Sequence, residues 1–392
     1  MSCMLLIPAI HREDLLATRV AGLTLAERLY HHGRKAGMDR ILITVAEDSE
    51  LWSIPILKSC LASNYSDTHC ANIDRCIVCK PGILPDIECL KWLSQVEIKQ
   101  DELLEFQGLF IFKPSGQGFE LQRAFEHDGY SSLLEFLRTH LLEKTNACEN
   151  GRIFDLTIDA NVARVEKILF RSLIKSTEGF MSRHVERRIS LAISRRLVNT
   201  PTTPNQITLL SILIGLAGAW CISLGTGLLQ VTGALLFLLH SIVDGCDGEI
   251  ARIKFMESRL GGILDFWGDN IVHAAIFTAI GVAWHNRTGS ILPIMLSGVA
   301  VAGTFLSALL IYLSTMRKKA SEEGPLYTSV ASSPSNARIV KVADFLSRRD
   351  FIYLVVILAF YRHLDWFLVA SAIGTMAFLA MLIWIRHKGQ PG

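Results

Sequence analysis

Beyond residue 206 the chain is built from apolar runs of membrane length. Six can be drawn, at about 207–225, 228–246, 261–284, 291–315, 351–362 with its flanks, and 365–385. A bilayer core takes about 20 apolar residues per helix, and a backbone in lipid must satisfy its own polar groups. Segments of this kind are therefore expected to be helices. The fifth has the shortest apolar core, so its limits are the least defined. Half of the 392 residues are hydrophobic, yet the first 200 read as a soluble protein with a mixed charged surface. The expected class is an α/β soluble region followed by an α-helical membrane region of six spans. A net charge of +2 excludes a strong global field of the kind that nucleic acid binding requires.

One stretch breaks the apolar pattern. Asp244 to Asp269 reads DGCDGEIARIKFMESRLGGILDFWGD, with four aspartates and an arginine where two spans should meet the membrane surface. An ionised side chain inside a lipid-facing helix costs about 2.5–3.5 kcal/mol even on lenient scales, so four carboxylates need a compensating partner. At helical spacing Asp244, Gly248 and Arg252 form one stripe, adjoined by Asp247 and Ala251. Gly261, Asp265, Asp269 and His273 form a second. Glycine and alanine let helix backbones approach closely, which brings the two acidic pairs within reach of shared ions. Four carboxylates suit Mg²⁺ or Mn²⁺, and a two-metal site would clamp a diphosphate during phosphoryl transfer. Intramembrane acids also mark ion pathways, so a cation-coupled transporter is the alternative. Against it, the sequence shows no inverted repeat, and the acids lie near one end of their spans. His273 is expected to be a packed histidine, and Glu249 and Glu257 to be solvated.

The fixed positions Asp244, Asp247, Gly248, Ala251, Arg252, Gly261, Asp265 and Asp269 spell D-x-x-D-G-x-x-A-R-x8-G-x3-D-x3-D, which is the signature of CDP-alcohol phosphotransferases. The resemblance covers about residues 162–386, and Lys175–Arg183 and Pro204–Thr208 are also similar to members of the family. It implies that Asp244, Asp247, Asp265 and Asp269 hold two Mg²⁺ or Mn²⁺ ions. Asp269 would also take the proton of the acceptor hydroxyl, and Arg252 would order the acids or the diphosphate. Gly248, Ala251, Gly261, Asn205 and Thr208 would lie along the CDP moiety. The donor would be a CDP-linked alcohol such as CDP-diacylglycerol or CDP-inositol, the acceptor a second alcohol, and CMP the leaving group. Phospholipid or inositol-phosphate biosynthesis and a homodimer are what the resemblance further implies.

Orientation follows from the basic loops. The connector arginines, Arg252, Lys254 and Arg259, the loop carrying Arg317, Lys318, Lys319, Arg338, Lys341, Arg348 and Arg349, and the tail Arg386-His387-Lys388 fall on one side. Both termini, the soluble domain and the aspartates are thus expected in the cytoplasm. Arg317, Lys318, Arg348 and Arg349 would flank the site, where they could bind an acceptor phosphate or could simply obey the orientation rule. In the connector, residues 161–206, Val185, Ile189, Ile193 and Leu197 share one helical face among Arg183, Arg187, Arg188, Arg195 and Arg196. That pattern reads as an amphipathic helix in the headgroup region.

Residues 1–160 alternate short apolar runs with helical patterns, which predicts a parallel, doubly wound α/β sheet. Strands are expected at Met4–Ile7, Ile41–Ala46, Cys76–Cys79, Gly108–Phe112 and Ile153–Ile158. Helices are expected through Leu15, Arg19, Leu25 and Leu29, and at 49–62, 85–94, 118–126 and 131–143. The start of the chain, MSCMLLIPAI, lacks the basic opening of a signal peptide. Cys60, Cys70, Cys76, Cys79 and Cys89 lack a second matched pair for zinc and are expected to be buried thiols. Ala21–Asp48 resembles the helix and second strand of sugar-phosphate nucleotidyltransferases. In that family a glycine-rich basic loop after the first strand holds the nucleotide phosphates. Here the loop is Ala9-Ile10-His11-Arg12-Glu13-Asp14, without glycine and with two acids, so the domain is expected to be degenerate. Members of the inositol-phosphate branch, such as di-myo-inositol phosphate phosphate synthases, carry an N-terminal cytidylyltransferase or a degenerate version of it.

Overall fold

The computed structural model describes residues 2–63, 73–100, 102–114, 130–145, 151–174, 185–316 and 351–388. The chain divides into two compact units, Met1–Leu169 and Phe170–Gly392.

The N-terminal unit is organised on β1 (Cys3–Pro8), every residue of which is buried. Side chains alternate across a strand. Cys3, Leu5 and Ile7 accordingly join the core on one face of the sheet, and Met4 and Leu6 join the core on the other. On the first face pack α2 (Leu25–Lys35) and α3 (Ile87–Gln95); on the second packs α4 (Tyr130–His140), through Leu133 and Leu137. Thr24 and Glu27 start α2 with a reciprocal capping box: the Thr24 hydroxyl accepts from the Glu27 amide at 3.2 Å, and the Glu27 carboxylate accepts from the Thr24 amide at 2.8 Å.

The sheet has seven strands. In spatial order they are β10 (Leu142–Thr145), β8 (Glu102–Phe106), β9 (Leu109–Phe112), β6 (Arg75–Cys79), β1, β4 (Arg40–Thr44) and β5 (Leu61–Ala62). It is mixed rather than parallel as expected, since β9 runs antiparallel to both β6 and β8. The cause is local. Gln107 (φ 49°) and Gly108 (φ 89°) form a two-residue turn with both φ positive, the geometry that folds adjacent strands into a hairpin.

Other expectations shift for equally local reasons. The helical pattern through Leu15–Leu29 splits into α1 (Glu13–Ala17) and α2. Between them a hairpin of β2 (Arg19–Val20) and β3 (Leu23–Thr24) turns at Ala21 and Gly22, both at positive φ. Residues 49–62 form two 3₁₀ turns, Glu50–Ser53 and Pro55–Leu57, because Pro55 interrupts the hydrogen-bond ladder, and then β5. Ile153–Asp155 is a strand, β11, but it pairs with β7 (Ile83–Pro85) outside the main sheet. The expected helix at 118–126 lies outside the described residues. α5 (Asp159–Ser172) closes the unit, with Val165 and Leu169 on the sheet's first core.

In the second unit, α6 (Arg187–Leu197) is followed by α7 (Pro204–Ser223), α8 (Gly227–Ile253), α9 (Arg259–Thr288), α10 (Leu292–Ile311), α11 (Phe351–Phe360) and α12 (Leu364–Lys388). Among the described residues five helices are long and apolar enough to cross a membrane; α11, within the fifth expected span, has ten residues. α7 and α8 cross at Gly218 and Gly233, so closely that a Cβ on Gly233 would fall 2.5 Å from the Gly218 carbonyl oxygen. That approach sets the pair that carries the site against α9.

Candidate metal centre

α8 ends where Lys254 caps it and Phe255 adopts φ 55°; α9 begins at Ser258, whose hydroxyl accepts from the Gly261 amide at 3.0 Å. Lys254 Nζ donates to the Thr200 carbonyl at 2.8 Å, and burial pushes the ammonium below its ordinary value. This short loop returns the chain so that the end of α8 faces the start of α9.

Asp244 and Asp247 on α8 are 3% and 7% exposed. Each of Asp244, Asp247 and Asp265 offers a carboxylate oxygen, and these oxygens lie within 4.8 Å of one another. Three hard oxygen donors at that spacing, two of them buried, fit a divalent cation such as Mg²⁺ or Mn²⁺. The Asp247 carboxylate accepts from the Thr208 hydroxyl of α7 and from the Gly248 amide. Thr208, expected along the nucleotide, thus also meets an aspartate. The fourth aspartate, one turn beyond Asp265, lies outside the three-oxygen group; its Oδ1 is 3.5 Å from Nε2 of His240.

Asn205 and Gly261 come together, and a Cβ on Gly261 would lie 2.9 Å from Asn205 Oδ1. Arg252 folds back along α8, with its Nη1 3.2 Å from the Cβ position of Gly248. Its Nε is buried and has no hydrogen-bond partner among the described residues, which leaves a donor beside the carboxylates. Ala251 is half-buried on α8. Arg317, Lys318, Arg348 and Arg349, expected to bind the acceptor phosphate, lie outside the described residues, as does Lys175–Arg183.

Two features were not expected from the sequence. Glu249, read as solvated, is 0% exposed. Its Oε1 accepts from Arg187 Nη1 at 2.9 Å and from the Ser190 hydroxyl at 2.6 Å, so α6 is fastened to the back of the aspartate helix. Gly245, one turn before Glu249, makes room for the arginine; a Cβ there would sit 3.2 Å from Arg187 Nη1. The density of arginines before the first span was the available signal, but it pointed to headgroups rather than to a carboxylate. The second feature is His240, whose Nδ1 lies 2.9 Å from the Ser211 carbonyl oxygen. His273 is packed as expected, its ring edge-on to Phe237 and tilted against Phe351. Glu257 is exposed.

In the N-terminal unit the acidic loop after β1 is engaged with the protein itself. Glu13 Oε1 accepts from the Ala46 amide, beyond the end of β4, at 2.9 Å. Cys60, Cys76, Cys79 and Cys89 are buried, and burial pushes the Cys60 thiol up to about 12. Cys70 lies outside the described residues.

Helices α7 and α8 cross through small residues, and the D-x-x-D-G-x-x-A-R segment of α8 faces Asp265 of α9. Residues 201–333 match the family model described as CDP-alcohol phosphatidyltransferase, and the chain carries a domain of that family. Over 134 residues it is 36% identical to the bifunctional IPC transferase and DIPP synthase of Thermococcus kodakarensis, covering 34% of this chain and 30% of that protein. The archaetidylinositol phosphate synthase of Pyrococcus horikoshii is 24% identical over 168 residues, covering 43% of this chain and 82% of that one. Among solved structures, the phosphatidylinositol phosphate synthase of Mycobacterium tuberculosis with CDP-DAG bound is 21% identical, covers 50% of this chain and 94% of its own, and has a TM-score of 0.33. The match to the first of these relatives spans less than a third of its length.

Proposed function

We propose that the membrane unit transfers a substituted phosphate group from a CDP-alcohol to the hydroxyl of a second alcohol. The observation that carries this reading is the convergence of Asp244, Asp247 and Asp265, oxygen to oxygen within 4.8 Å, on the helix pair that spells the family signature. These three residues would hold divalent ions, Mg²⁺ or Mn²⁺. When bound, such ions neutralise a diphosphate and the charge that develops as it is cleaved. The acceptor oxygen bonds to the phosphorus that carries the donor alcohol. The bond from that phosphorus to the bridging oxygen breaks, and CMP leaves with the electron pair. Asp269 takes the acceptor's proton, a role that suits a carboxylate lying outside the three-oxygen group. Arg252, with an unused buried Nε, orders the diphosphate. Asn205, Gly248, Ala251 and Gly261 flank the CDP moiety, and Thr208 fixes Asp247.

The names of two relatives, an archaetidylinositol phosphate synthase and a phosphatidylinositol phosphate synthase, support an inositol phosphate as acceptor and a CDP-linked lipid as donor. In this reading Arg317, Lys318, Arg348 and Arg349 meet the acceptor phosphate. The aspartates and both termini face the cytoplasm, α6 and its flanks lie in the headgroup region, six spans cross the bilayer, and two chains form a homodimer. The N-terminal unit carries out no nucleotidyl transfer, which the engagement of Glu13 with a backbone amide supports.

One assay tests the reading. The purified full chain is supplied with Mg²⁺ or Mn²⁺, CDP-diacylglycerol or CDP-inositol, and inositol phosphate, glycerol phosphate, serine or inositol, and CMP is measured. CMP release from a lipid donor with inositol phosphate is expected. No CMP from any pair, together with cation flux in liposomes that Asp244→Ala abolishes, overturns the reading in favour of transport.

A further inference from the structure

In the N-terminal unit a cavity of about 550 Å³ opens between β11, α5 and the turn at Gln107. None of its described lining residues comes from the Ala9–Asp14 loop, which stands where nucleotidyltransferases hold phosphate. Small-molecule sites commonly span about 300–1,000 Å³, so the space suits a ligand larger than a single ion.

Both walls are fixed by contacts outside the cavity. On the β11 side, the Arg152 amide donates to Asp86 Oδ2 at 2.9 Å, and the Arg152 carbonyl accepts from the Asp86 amide at 2.8 Å. Gly151 precedes it at φ 92°, and a Cβ there would lie 2.4 Å from the Cys89 amide nitrogen. Only glycine lets the chain press so closely on the first turn of α3. On the α5 side, Glu166 accepts from the Ala21 amide at 2.6 Å, and Val165 is buried in the core. Asn161, Arg164 and Ile168, spaced three and four apart, line the cavity from one face of that helix.

The lining is cationic. Arg152 comes from one wall and Arg164 from the other, and among the described residues neither guanidinium has an ion-pair or hydrogen-bond partner. Asp155 is the one carboxylate among the described lining residues. The Thr157 hydroxyl and amide donate to its Oδ1 at 2.6 and 2.9 Å and hold the carboxyl below its ordinary value. Two unpaired cations therefore face one carboxylate that is already engaged, and the cavity favours an anion. An arginine fork takes up both oxygens of a carboxylate, whereas a phosphate keeps an oxygen for a second fork. Asn161 and Gln107 add amide donors and acceptors that suit hydroxyl groups.

We propose that this cavity binds a soluble phosphate monoester of a small hydroxylated molecule, whose phosphate bridges Arg152 and Arg164 and clamps α5 to β11. α5 is the helix on which the chain leaves the unit after Leu169, so the ligand acts on the base of the connector. The proposal goes beyond the transferase reading and does not rest on it.

Hydrogen exchange over residues 151–155 and 161–168 tests it, in the full chain held in phosphatidylcholine nanodiscs with EDTA present. Glycerol phosphate should slow exchange in both segments in a saturable way. Glycerol should leave exchange unchanged, and succinate should need at least about 10-fold higher concentration. Arg152→Gln and Arg164→Gln should each weaken glycerol phosphate binding about 10- to 100-fold, as loss of a hydrogen bond to a charged group does. Lys167→Gln, on α5 outside the lining, should bind as the wild type does. Both arginines are exposed, so their variants should unfold at the wild-type temperature. The proposal is overturned if glycerol phosphate leaves both segments unprotected, if succinate binds equally well, or if Lys167→Gln loses as much as the arginine variants. Protection by phosphatidate placed in the nanodisc, with no glycerol phosphate added, overturns it in favour of a lipid headgroup.

Discussion

The two units treat buried charge in opposite ways. In the N-terminal unit the buried Arg28, Arg75 and His32 each meet backbone carbonyls. Arg28 donates to the Val20 and Ala21 carbonyls at 2.7 and 3.0 Å, Arg75 donates to the Leu93 carbonyl at 2.8 Å, and His32 Nδ1 meets the Pro85 carbonyl at 2.8 Å. Burial correspondingly lowers the Arg28 guanidinium to about 10 and the His32 imidazole to about 4. In the membrane unit the charged groups are gathered instead, into the Asp244–Asp247–Asp265 group and the Arg187–Glu249 pair. Dispersed groups of this kind lock hairpins and strands to helices. Gathered like charges repel one another, so their assembly makes physical sense where a cation or a phosphate completes it.

The sharpest way to break this contrast is to remove one charge from each unit. Asp244→Ala should reduce CMP release about 10⁴-fold, a cost of several kcal/mol in transition-state stabilisation. Glu13→Gln, in the acidic loop of the other unit, should leave it at the wild-type rate. Equal losses in a side-by-side rate measurement would mean that the acids of the N-terminal unit also belong to the chemistry.

Next in size is the Arg187–Glu249 pair. Removing one partner strands the other, and a stranded buried charge costs about 3–5 kcal/mol. Glu249→Ala and Arg187→Met should each lower the unfolding temperature in detergent. The double variant Arg187→Met/Glu249→Leu should recover much of the loss, since apolar packing replaces both charges. Failure of the double variant to recover would mean that the pair does more than neutralise itself, through Ser190 or through Arg252.

His32 makes the corresponding test for a dispersed group. Its folded-state value, about 4, lies below its ordinary 6.5. The unfolded chain therefore takes up a proton that the folded unit refuses. The stability involved is fully present above pH 6.5, falls as the pH drops, and is gone near pH 4, by about 3 kcal/mol in all. Hydrogen exchange at the Leu5 and Ile7 amides should quicken across that window, and His32→Gln should flatten the response.

How much of this could be read in advance depended on whether a contact is encoded along the chain or across it. The aspartate stripes were legible because an i, i+4 spacing on a helix is geometry, and α8 and α9 keep that geometry. Glu249 was misread because its position between signature residues says nothing about α6, which covers it. His240 was missed for the same reason: its partners, Ser211 and Asp269, come from two other helices. In the N-terminal unit β1, β4 and β6 were legible as apolar runs. Glu102–Phe106 was not, since ELLEF carries glutamates at its first and fourth positions and only the Gln107-Gly108 turn makes it a strand. The segment at 142–145 was absorbed into the end of a helix because nothing in its residues marks the change.

The smallest effect sharpens the contrast most finely, because it separates an aspartate's charge from its orientation. The Thr208 hydroxyl donates to Asp247 from a buried position on α7, and its other contact, with the Pro204 carbonyl at 3.1 Å, is one that a helical threonine commonly makes. Thr208→Val keeps the shape and deletes the donor, and a hydrogen bond to a charged group contributes about 1.5–3 kcal/mol. Mn²⁺ affinity should fall about 10-fold, and Thr208→Ser should restore it. If the valine variant binds Mn²⁺ as the wild type does but loses affinity for the CDP-alcohol, Thr208 faces the nucleotide when substrate is bound, and Asp247 keeps its orientation without the hydroxyl.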